Sequence, residues 1–291
     1  MNALVVAIGF GLVTSAIVAL AAVAVSLQIS VTNFINFAYG DFMTFGAYVA
    51  WMADTHGVNF FVAVALGGIA TGLLGVAANY LVFRPFMRRG VRPVTLLIAG
   101  LGVAFIVQNG IIILWGTDPQ QFSVTIGDSL RVGPFLLTTG DLVIVAASVS
   151  LLALLHAMLR YTKFGKSLRA LSNNLDLAQA CGINVERMIA ATWFICGILT
   201  AVAGVALVME EGGLQPSVGF NELFVVFGAV ILGGIGRPYG AMVGALVVGL
   251  MTEISAIYVN AAYKTAIAFG IVILLLLIRP QGIFTALGKT Y

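Results

Sequence analysis

Residues 4–27, LVVAIGFGLVTSAIVALAAVAVSL, form an apolar run without a single charged side chain. As an α-helix, a run of this length crosses the ~30 Å hydrocarbon core of a bilayer. A transmembrane β-strand would instead alternate polar and apolar residues over roughly ten positions, and this run does not alternate. The stretch therefore predicts a helical membrane span.

Eight further apolar runs follow, and two of them, the first and the sixth, are short or interrupted. They cover residues 34–53, 60–83, 94–115, 142–159, 189–209, 222–235, 241–259 and 265–278. The sequence is 61% hydrophobic and 9% charged over 291 residues, which leaves too little polar surface for a water-soluble fold. We predict an all-α integral membrane protein with one transmembrane domain over residues 1–291. Its fold is a polytopic bundle of eight or nine transmembrane helices, with interrupted or re-entrant segments.

The basic residues predict the orientation of this bundle. If the runs alternate in direction, twelve of the fourteen Lys and Arg residues fall on one side, in 84–92, 160–187, at Arg237 and after Ile278. Only Arg131 and Lys264 fall on the other side. Because basic loops remain in the cytoplasm, we predict a cytoplasmic C-terminus and an external N-terminus. The uncharged start, MNALVVAIGF, also argues against a cleaved signal peptide, which begins with basic residues.

No enzymatic chemistry is indicated. Cys181 and Cys196 fall at different predicted levels, and His56 and His156 lack neighbours at metal-ligand spacing. The tail 282–290, GIFTALGKT, has five residues between its glycines where the Walker motif has four, and we expect no helix after it. We find no nucleophile, base and orienting group that would form a catalytic set. We predict a chain that is not an enzyme and holds no metal or cofactor.

Polar residues within the apolar runs are costly and usually line an interior or a pathway. They concentrate in 31–50, VTNFINFAYGDFMTFGAYVA, and in 210–222, EEGGLQPSVGFNE. Asn33, Asn36 and Gly40 fall at helical spacing, which predicts that they share one helix face, and Gly40 is the expected helix break. The candidate pathway residues are Asn33, Asn36, Tyr39, Asp41, Phe45, Gly46, Asn221, Glu222 and Gly228.

Both polar regions adjoin the pattern F-x-x-F-G-A, at 42–47 and at 224–229, each with an acidic residue one or two positions upstream. Short, Gly- or Pro-interrupted segments at corresponding places in two halves are typical of internal repeats in transporters, with the substrate path between the repeats. We therefore predict an internal pseudo-repeat. For Gly46 and Gly228, close helix packing by small residues stands as the alternative to a direct substrate role.

The longest polar break is 160–187, RYTKFGKSLRALSNNLDLAQACGINVER. Leu168, Leu171, Leu175 and Ala178 recur in it at 3- or 4-residue spacing, which predicts one apolar helix face. Asn173 or Asn174 can cap a short helix over 175–180, and Gly182 is typical of a helix end. A basic loop that only rests on the membrane surface is the simpler interpretation.

Four separated blocks resemble a known family. They are INFAYGDFMTFGAYVA, RALSNNLDLAQACGINVERM with the following AVAGVA, VVFGAVILGGIGRPYGAMVGA, and RPQGIF. In this order, between about residues 26 and 284, they resemble the permeases of branched-chain amino acid ABC importers, specifically the shorter of the two permease subunits. The resemblance implies a multi-pass protein of a bacterial or archaeal cytoplasmic membrane.

The same resemblance implies the partners and the role of the polar segment. The partners would be a second homologous permease, two cytoplasmic ATPase subunits that bind ATP and Mg²⁺, and a periplasmic or extracellular substrate-binding protein. Segment 160–187 would carry a coupling helix that docks in an ATPase groove and transmits the movement of alternating access. Its contact residues would be Leu168, Arg169, Leu171, Leu175, Ala178 and Gly182.

Two alternatives remain open from the sequence. Urea and short amides need a pathway lining much like that of an aliphatic amino acid, so an importer of those solutes would have similar residues. A stand-alone channel or secondary carrier is a different class, which needs neither an ATPase groove nor a partner permease.

Overall fold

The computed structural model describes residues 3–123, 129–132 and 135–258, together with residues 266, 270 and 273. In this part of the chain, α-helices dominate and a short hairpin interrupts them. The helices are α1 Ala3–Thr32, α2 Tyr39–Thr55, α3 Phe60–Ala78, α4 Arg84–Arg88, α5 Pro93–Trp115, α6 Thr139–Tyr161, α7 Lys163–Asn173, α8 Leu175–Ala180, α9 Val185–Glu211, α10 Val218–Gly233 and α11 Pro238–Tyr258. A π-helical turn, Asn79–Phe83, joins α3 to α4.

The predicted helical membrane fold is confirmed. By length and composition, six helical segments of the described chain can cross a membrane, and α10 is a shorter apolar helix. The six are Leu4–Thr32, Phe60–Arg88, Pro93–Trp115, Thr139–Tyr161, Val185–Glu211 and Pro238–Ile257. Eight of the nine predicted runs therefore coincide with helices, including the short α2. The ninth run, 265–278, lies largely outside the described residues.

Two long helices form the centre of the bundle. Helices α1 and α9 are buried over most of their apolar length, whereas only 28% of the apolar window of α5 or of α6 is buried. Helix α1 packs against α11, α9, α6 and α10, and α9 packs against α3 and α2. Small residues make the contact between α9 and α3 close, since a Cβ on Gly197 of α9 would lie 2.6 Å from the Cα of Gly72 on α3. Interfaces of small residues are typical of membrane helices.

A hairpin that the apolar runs do not indicate precedes α6. Strands β1, Ser129–Val132, and β2, Phe135–Thr138, pair antiparallel with Val132 opposite Phe135. Thr138 then begins α6 with a capping box: its hydroxyl accepts from the Asp141 N–H at 3.1 Å, and the Asp141 carboxylate accepts from the Thr138 N–H at 2.8 Å. The capping box thereby provides hydrogen-bond acceptors for two backbone N–H groups at the start of α6.

The prediction that Asn33, Asn36 and Gly40 share a helix face is wrong. Helix α1 ends at Thr32 and α2 begins at Tyr39, so residues 33–38 are not helical and Gly40 lies inside α2. Asn33 ends α1 with a φ of 60°, and its N–H donates to the Ile29 carbonyl at 2.8 Å. Asn tolerates this left-handed conformation better than most residues, and the break begins at Asn33, seven residues before the predicted one at Gly40.

The local structure predicted for 175–180 is confirmed. The Asn174 side chain accepts from the Leu177 N–H at 3.0 Å and so begins α8. Gly182 has a φ of 82°, and the adjacent Ile183 N–H donates to the Ala178 carbonyl at 3.1 Å. This is a helix end of the kind that glycine permits at little cost.

Candidate functional site

The two short helices α2, of 17 residues, and α10, of 16 residues, meet near their N-terminal ends. A Cβ on Gly40 would lie 2.6 Å from the carbonyl oxygen of Gly219, and a Cβ on Gly219 would overlap the carbonyl oxygen of Gly40. The Thr44 hydroxyl accepts from the Gly219 N–H at 3.1 Å. Each helix follows a non-helical stretch, 33–38 and 212–217. The arrangement is that of two interrupted membrane segments whose N-termini meet inside the bundle.

The N-cap side chains of α2 and α10 do not cap these helix ends. Neither Ala38, before α2, nor Ser217, before α10, makes a side-chain capping hydrogen bond. The N-terminus of a helix carries partial positive charge and unsatisfied N–H groups. In transporters with interrupted helices, such ends face the anionic group of the substrate.

Two of the predicted pathway residues are buried here with unpaired polar atoms. The side chain of Asp41 is 1% exposed, and neither of its carboxylate oxygens has a hydrogen-bond partner within the described residues. Asn36 is fully buried; its Oδ1 accepts from the Ala38 N–H at 3.1 Å, while its Nδ2 has no such partner in the described chain. Unpaired burial of this kind is unfavourable. A molecule from outside the described chain can therefore gain free energy by pairing with these atoms.

The remaining candidates on α2 face in different directions. Tyr39 is buried and stacks on Trp193 of α9, with ring centroids 6.3 Å apart. Phe45 is half-buried and meets Trp115 of α5 edge to face at 6.3 Å. Gly46 lies against Ala201 and Thr71, so its contacts are those of close helix packing. Asp41 and Phe45, four residues apart, lie on the same face of α2.

The candidates on α10 lie elsewhere. Gly228 is buried within the helix and Asn221 is exposed. Glu222 lines a separate cavity of about 410 Å³ between α1, α6, α9, α10 and α11. The internal repeat stays a prediction, because the structure pairs Gly40 with Gly219, whereas the shared motif would align Gly40 with Glu222.

The cavity beside Glu222 is acidic. Glu210, Glu211, Glu253 and Asp141 also line it, and the Thr14 hydroxyl lies 2.6 Å from Glu210 Oε1 and 3.0 Å from Glu253 Oε1. Within the described residues, no group of three or more His, Cys, Asp or Glu side chains is arranged to hold a metal ion. Sequence reasoning singled out the two α9 glutamates but missed Asp141 and Glu253, which tertiary packing alone brings to the cavity.

The predicted docking face of segment 160–187 is wrong. Leu168, Leu171 and Ala178 are 3–4% exposed and pack into the core of this chain, so they are not available to a partner. Leu175, the fourth member, is 41% exposed, and Leu177, which the spacing did not include, is 62% exposed. Arg169 is also engaged within the chain, because its guanidinium donates to the Leu159 carbonyl. The exposed leucines of this segment belong to α8.

An ion-pair cluster that the sequence did not indicate ties α4 to α9. Arg84 and Arg88 of α4 both contact the Glu186 carboxylate, in the first turn of α9. The Arg84 guanidinium also lies 4.9 Å from the ring centroid of Tyr80. The cluster borders α8, since Arg84, Arg88, Glu186 and Leu175 line one cavity of about 300 Å³. Helices α4, α8 and α9 thus meet around the face of α8 that carries Leu175.

Comparison with known proteins places these features in a family. Residues 7–277 match the family described as "Branched-chain amino acid transport system / permease component". The chain is 31% identical to the high-affinity branched-chain amino acid transport system permease LivH of Escherichia coli K12, over 91% of this chain and 90% of that protein. It is 30% identical to BraD of Pseudomonas aeruginosa, over 94% and 93% of the two chains. It is 29% identical to the probable permease LivH of Methanocaldococcus jannaschii, over 94% and 90%.

The fold has a solved counterpart at low sequence identity. The structure of PsaBC from Streptococcus pneumoniae in complex with Fab aligns with a TM-score of 0.50 and 14% identity, over 94% of this chain and 91% of that one. This similarity concerns the fold alone. The family match and the full-length relatives identify the chain: it belongs to the permease-component family of branched-chain amino acid transport systems.

Proposed function

We propose that this chain is the transmembrane permease subunit of an ATP-binding-cassette importer that moves branched-chain or other aliphatic amino acids into the cytoplasm. The observation that carries the proposal is identity of 30–31% over nine-tenths or more of both chains with LivH and BraD. The sequence contains no complete Walker motif, so the energy would come from two partner ATPase subunits that bind ATP and Mg²⁺. A second homologous permease and an external substrate-binding protein would complete the assembly.

The meeting of α2 and α10 suits a zwitterionic solute. The partial positive charge of the helix N-termini beside Gly40 and Gly219 favours a carboxylate, and the unpaired carboxylate of Asp41 favours an ammonium group. Phe45, on the Asp41 face of α2, offers an apolar contact for an aliphatic side chain. Alternating access would open this region first to one side of the membrane and then to the other.

Reconstitution of the complete transporter tests the proposal. Proteoliposomes that contain both permeases and both ATPases, with the binding protein outside, should accumulate radiolabelled leucine only when ATP is inside. An excess of unlabelled valine or isoleucine should suppress this uptake, and an excess of urea should not. Suppression by urea alone would assign the chain to the urea and amide importers. ATP-independent uptake by the single purified chain would favour a stand-alone carrier.

The exposed leucines of α8 are the part of the cytoplasmic segment that we expect to contact an ATPase. Leu175 and Leu177 are large apolar side chains in an otherwise polar segment, and a charge in the centre of a protein interface costs about 2 kcal/mol or more. Leu177→Glu should therefore weaken co-purification of the ATPase subunits roughly tenfold or more, while the chain still folds and inserts.

Two matched variants separate docking from folding. Leu171→Glu places the same charge in the core of the chain and should reduce the yield of folded protein rather than the affinity for the ATPases. Gln121→Glu, exposed in the stretch that follows α5, should change neither quantity. Normal ATPase binding and normal coupled hydrolysis in Leu177→Glu would exclude α8 as the docking helix.

The orientation of the termini is tested by cysteine labelling in a Cys181→Ser background. We expect an impermeant maleimide added outside to label Asp128→Cys, in the predicted external loop, and to spare Arg89→Cys, in the basic loop 84–92. The twelve-to-two distribution of basic residues is the reason. Asp128 lies outside the described residues, whereas Arg89 is exposed. Labelling of Arg89→Cys alone would reverse the predicted topology.

A further inference from the structure

A cavity of about 360 Å³ lies where α7 meets the ends of three long helices. Its apolar floor is formed by Leu27 of α1, Leu159 of α6 and Leu168 of α7, all of which are buried. Its polar lining includes Arg169 and Ser172 of α7 with Arg237 and Tyr239 at the start of α11. The cavity therefore joins an apolar base to a basic rim, and it is separate from the meeting of α2 and α10.

The rim has the chemistry of an anion site. Arg169 and Arg237 place two guanidinium groups on the rim, and Arg237 already has an interaction of its own. No acidic side chain is among the described residues that line the cavity. Arg169 donates one N–H to the Leu159 carbonyl, and a guanidinium has five such groups. The first residues of α11, Pro238 to Gly240, also line the cavity, so the positive end of that helix adds to the potential. Arginine recognises phosphate oxygens through paired, charge-assisted hydrogen bonds.

The position of the cavity favours a membrane phosphate over a soluble one. Leu27 and Leu159 belong to helices long enough to span a bilayer, and they lie near the ends of those helices. Beside the cavity, the Tyr239 hydroxyl lies 2.9 Å from His156 Nδ1 and links α11 to α6. Tyrosine is enriched at the membrane interface. Lys163 and Lys166, exposed on α7, add positive charge nearby.

We propose that this cavity binds the headgroup phosphate of an anionic phospholipid in the leaflet next to α7. Basic pockets between the ends of transmembrane helices are suited to such headgroups. The bound phosphate would hold α7 against α11 through Arg169 and Arg237, while the glycerol and the first acyl carbons would contact the apolar floor. The proposal goes beyond the transport function and does not depend on the identity of the solute.

Native mass spectrometry of the full-length chain, purified with its partner subunits and delipidated, tests the proposal. Titration with dioleoyl phosphatidylglycerol should show one site that dioleoyl phosphatidylcholine fills at least tenfold less well. Arg169→Gln combined with Arg237→Gln should weaken phosphatidylglycerol binding about tenfold or more, since each basic residue near an anionic membrane surface contributes. Arg89→Gln combined with Arg92→Gln removes the same charge from exposed positions outside the cavity and should leave the affinity unchanged.

A second pair of variants tests lipid binding without removing the hydrogen bond that Arg169 donates to the Leu159 carbonyl. Ser172→Glu places a negative charge in the lining and should weaken lipid binding, whereas Asn173→Glu, exposed at the next position and outside the lining, should not. The proposal would be overturned if phosphatidylglycerol and phosphatidylcholine bound equally well. It would also be overturned if the variants and their controls lost the same affinity for phosphatidylglycerol. Binding of glycerol 3-phosphate as tightly as the lipid would assign the cavity to a soluble phosphate ester. Displacement of the lipid by addition of the ATPase subunits would assign it to a protein interface.

Discussion

Gly219→Ala should separate α2 from α10 and abolish most of the uptake. A Cβ at this position would overlap the carbonyl oxygen of Gly40 and lie 2.7 Å from Thr44 Oγ1. The first of these atoms belongs to the backbone of a helix, so no change of rotamer can make room. Overpacking of this kind costs about 3 kcal/mol, and the two helix N-termini would lose their present geometry. We expect a lower melting temperature of the purified chain and at least a tenfold loss of leucine uptake.

The matched control is Gly102→Ala or Gly110→Ala on α5. At both positions a new Cβ would meet no atom within 4 Å, and alanine is the better helix former by about 1 kcal/mol. Measured on the isolated chain, these variants should be as stable as the parent or more so. If Gly219→Ala were as stable as its controls, the close approach of α2 and α10 would not exist in the protein.

The sequence predicted the helices better than the break between them. Long runs such as 60–83 and 189–209 have one stable solution in a bilayer, because a helix satisfies every backbone polar group within itself. The break at 33–38 was placed too late, since Phe34, Ile35 and Phe37 continue the apolar run while the backbone is no longer helical. An apolar run indicates that a segment avoids water, but it does not show whether that segment is helical. Where non-helical residues can be buried depends on tertiary packing.

In segment 160–187 too, the local structure could be predicted from the sequence and the tertiary contacts could not. The cap at Asn174 and the turn at Gly182 were predictable because they depend on residues within one or two turns of each other. The spacing of Leu168 and Leu171 correctly indicated an apolar helix face, but periodicity does not show which surface covers that face. In the structure the chain itself covers it. The acidic cavity was still less accessible to prediction, since Asp141 and Glu253 come from different helices far apart in the sequence.

Asp41→Asn should reduce leucine uptake at least tenfold and at the same time make the protein more stable. The Asp41 carboxylate is buried without a hydrogen-bond partner in the described residues, so it destabilises the substrate-free chain. Replacing a buried carboxylate by a neutral amide of similar shape should relieve part of that cost, by about 1 kcal/mol. The loss of negative charge would remove the group that we propose pairs with the ammonium of the solute. Uptake in proteoliposomes and the melting temperature of the purified chain measure the two effects.

Asp54 on the same helix provides the control, because it is also buried but its carboxylate is hydrogen-bonded. Its Oδ2 accepts from the Ser123 N–H at 2.8 Å and from the Ser123 hydroxyl at 2.7 Å. Asp54→Asn should therefore lower stability, by about 1–3 kcal/mol, and reduce uptake only in proportion to the folded protein lost. The two substitutions make the same chemical change, so opposite signs of the stability change would separate a residue kept for transport from one kept for structure. A decrease in stability for Asp41→Asn, with normal uptake per folded molecule, would show that Asp41 has a structural partner and no part in the pathway.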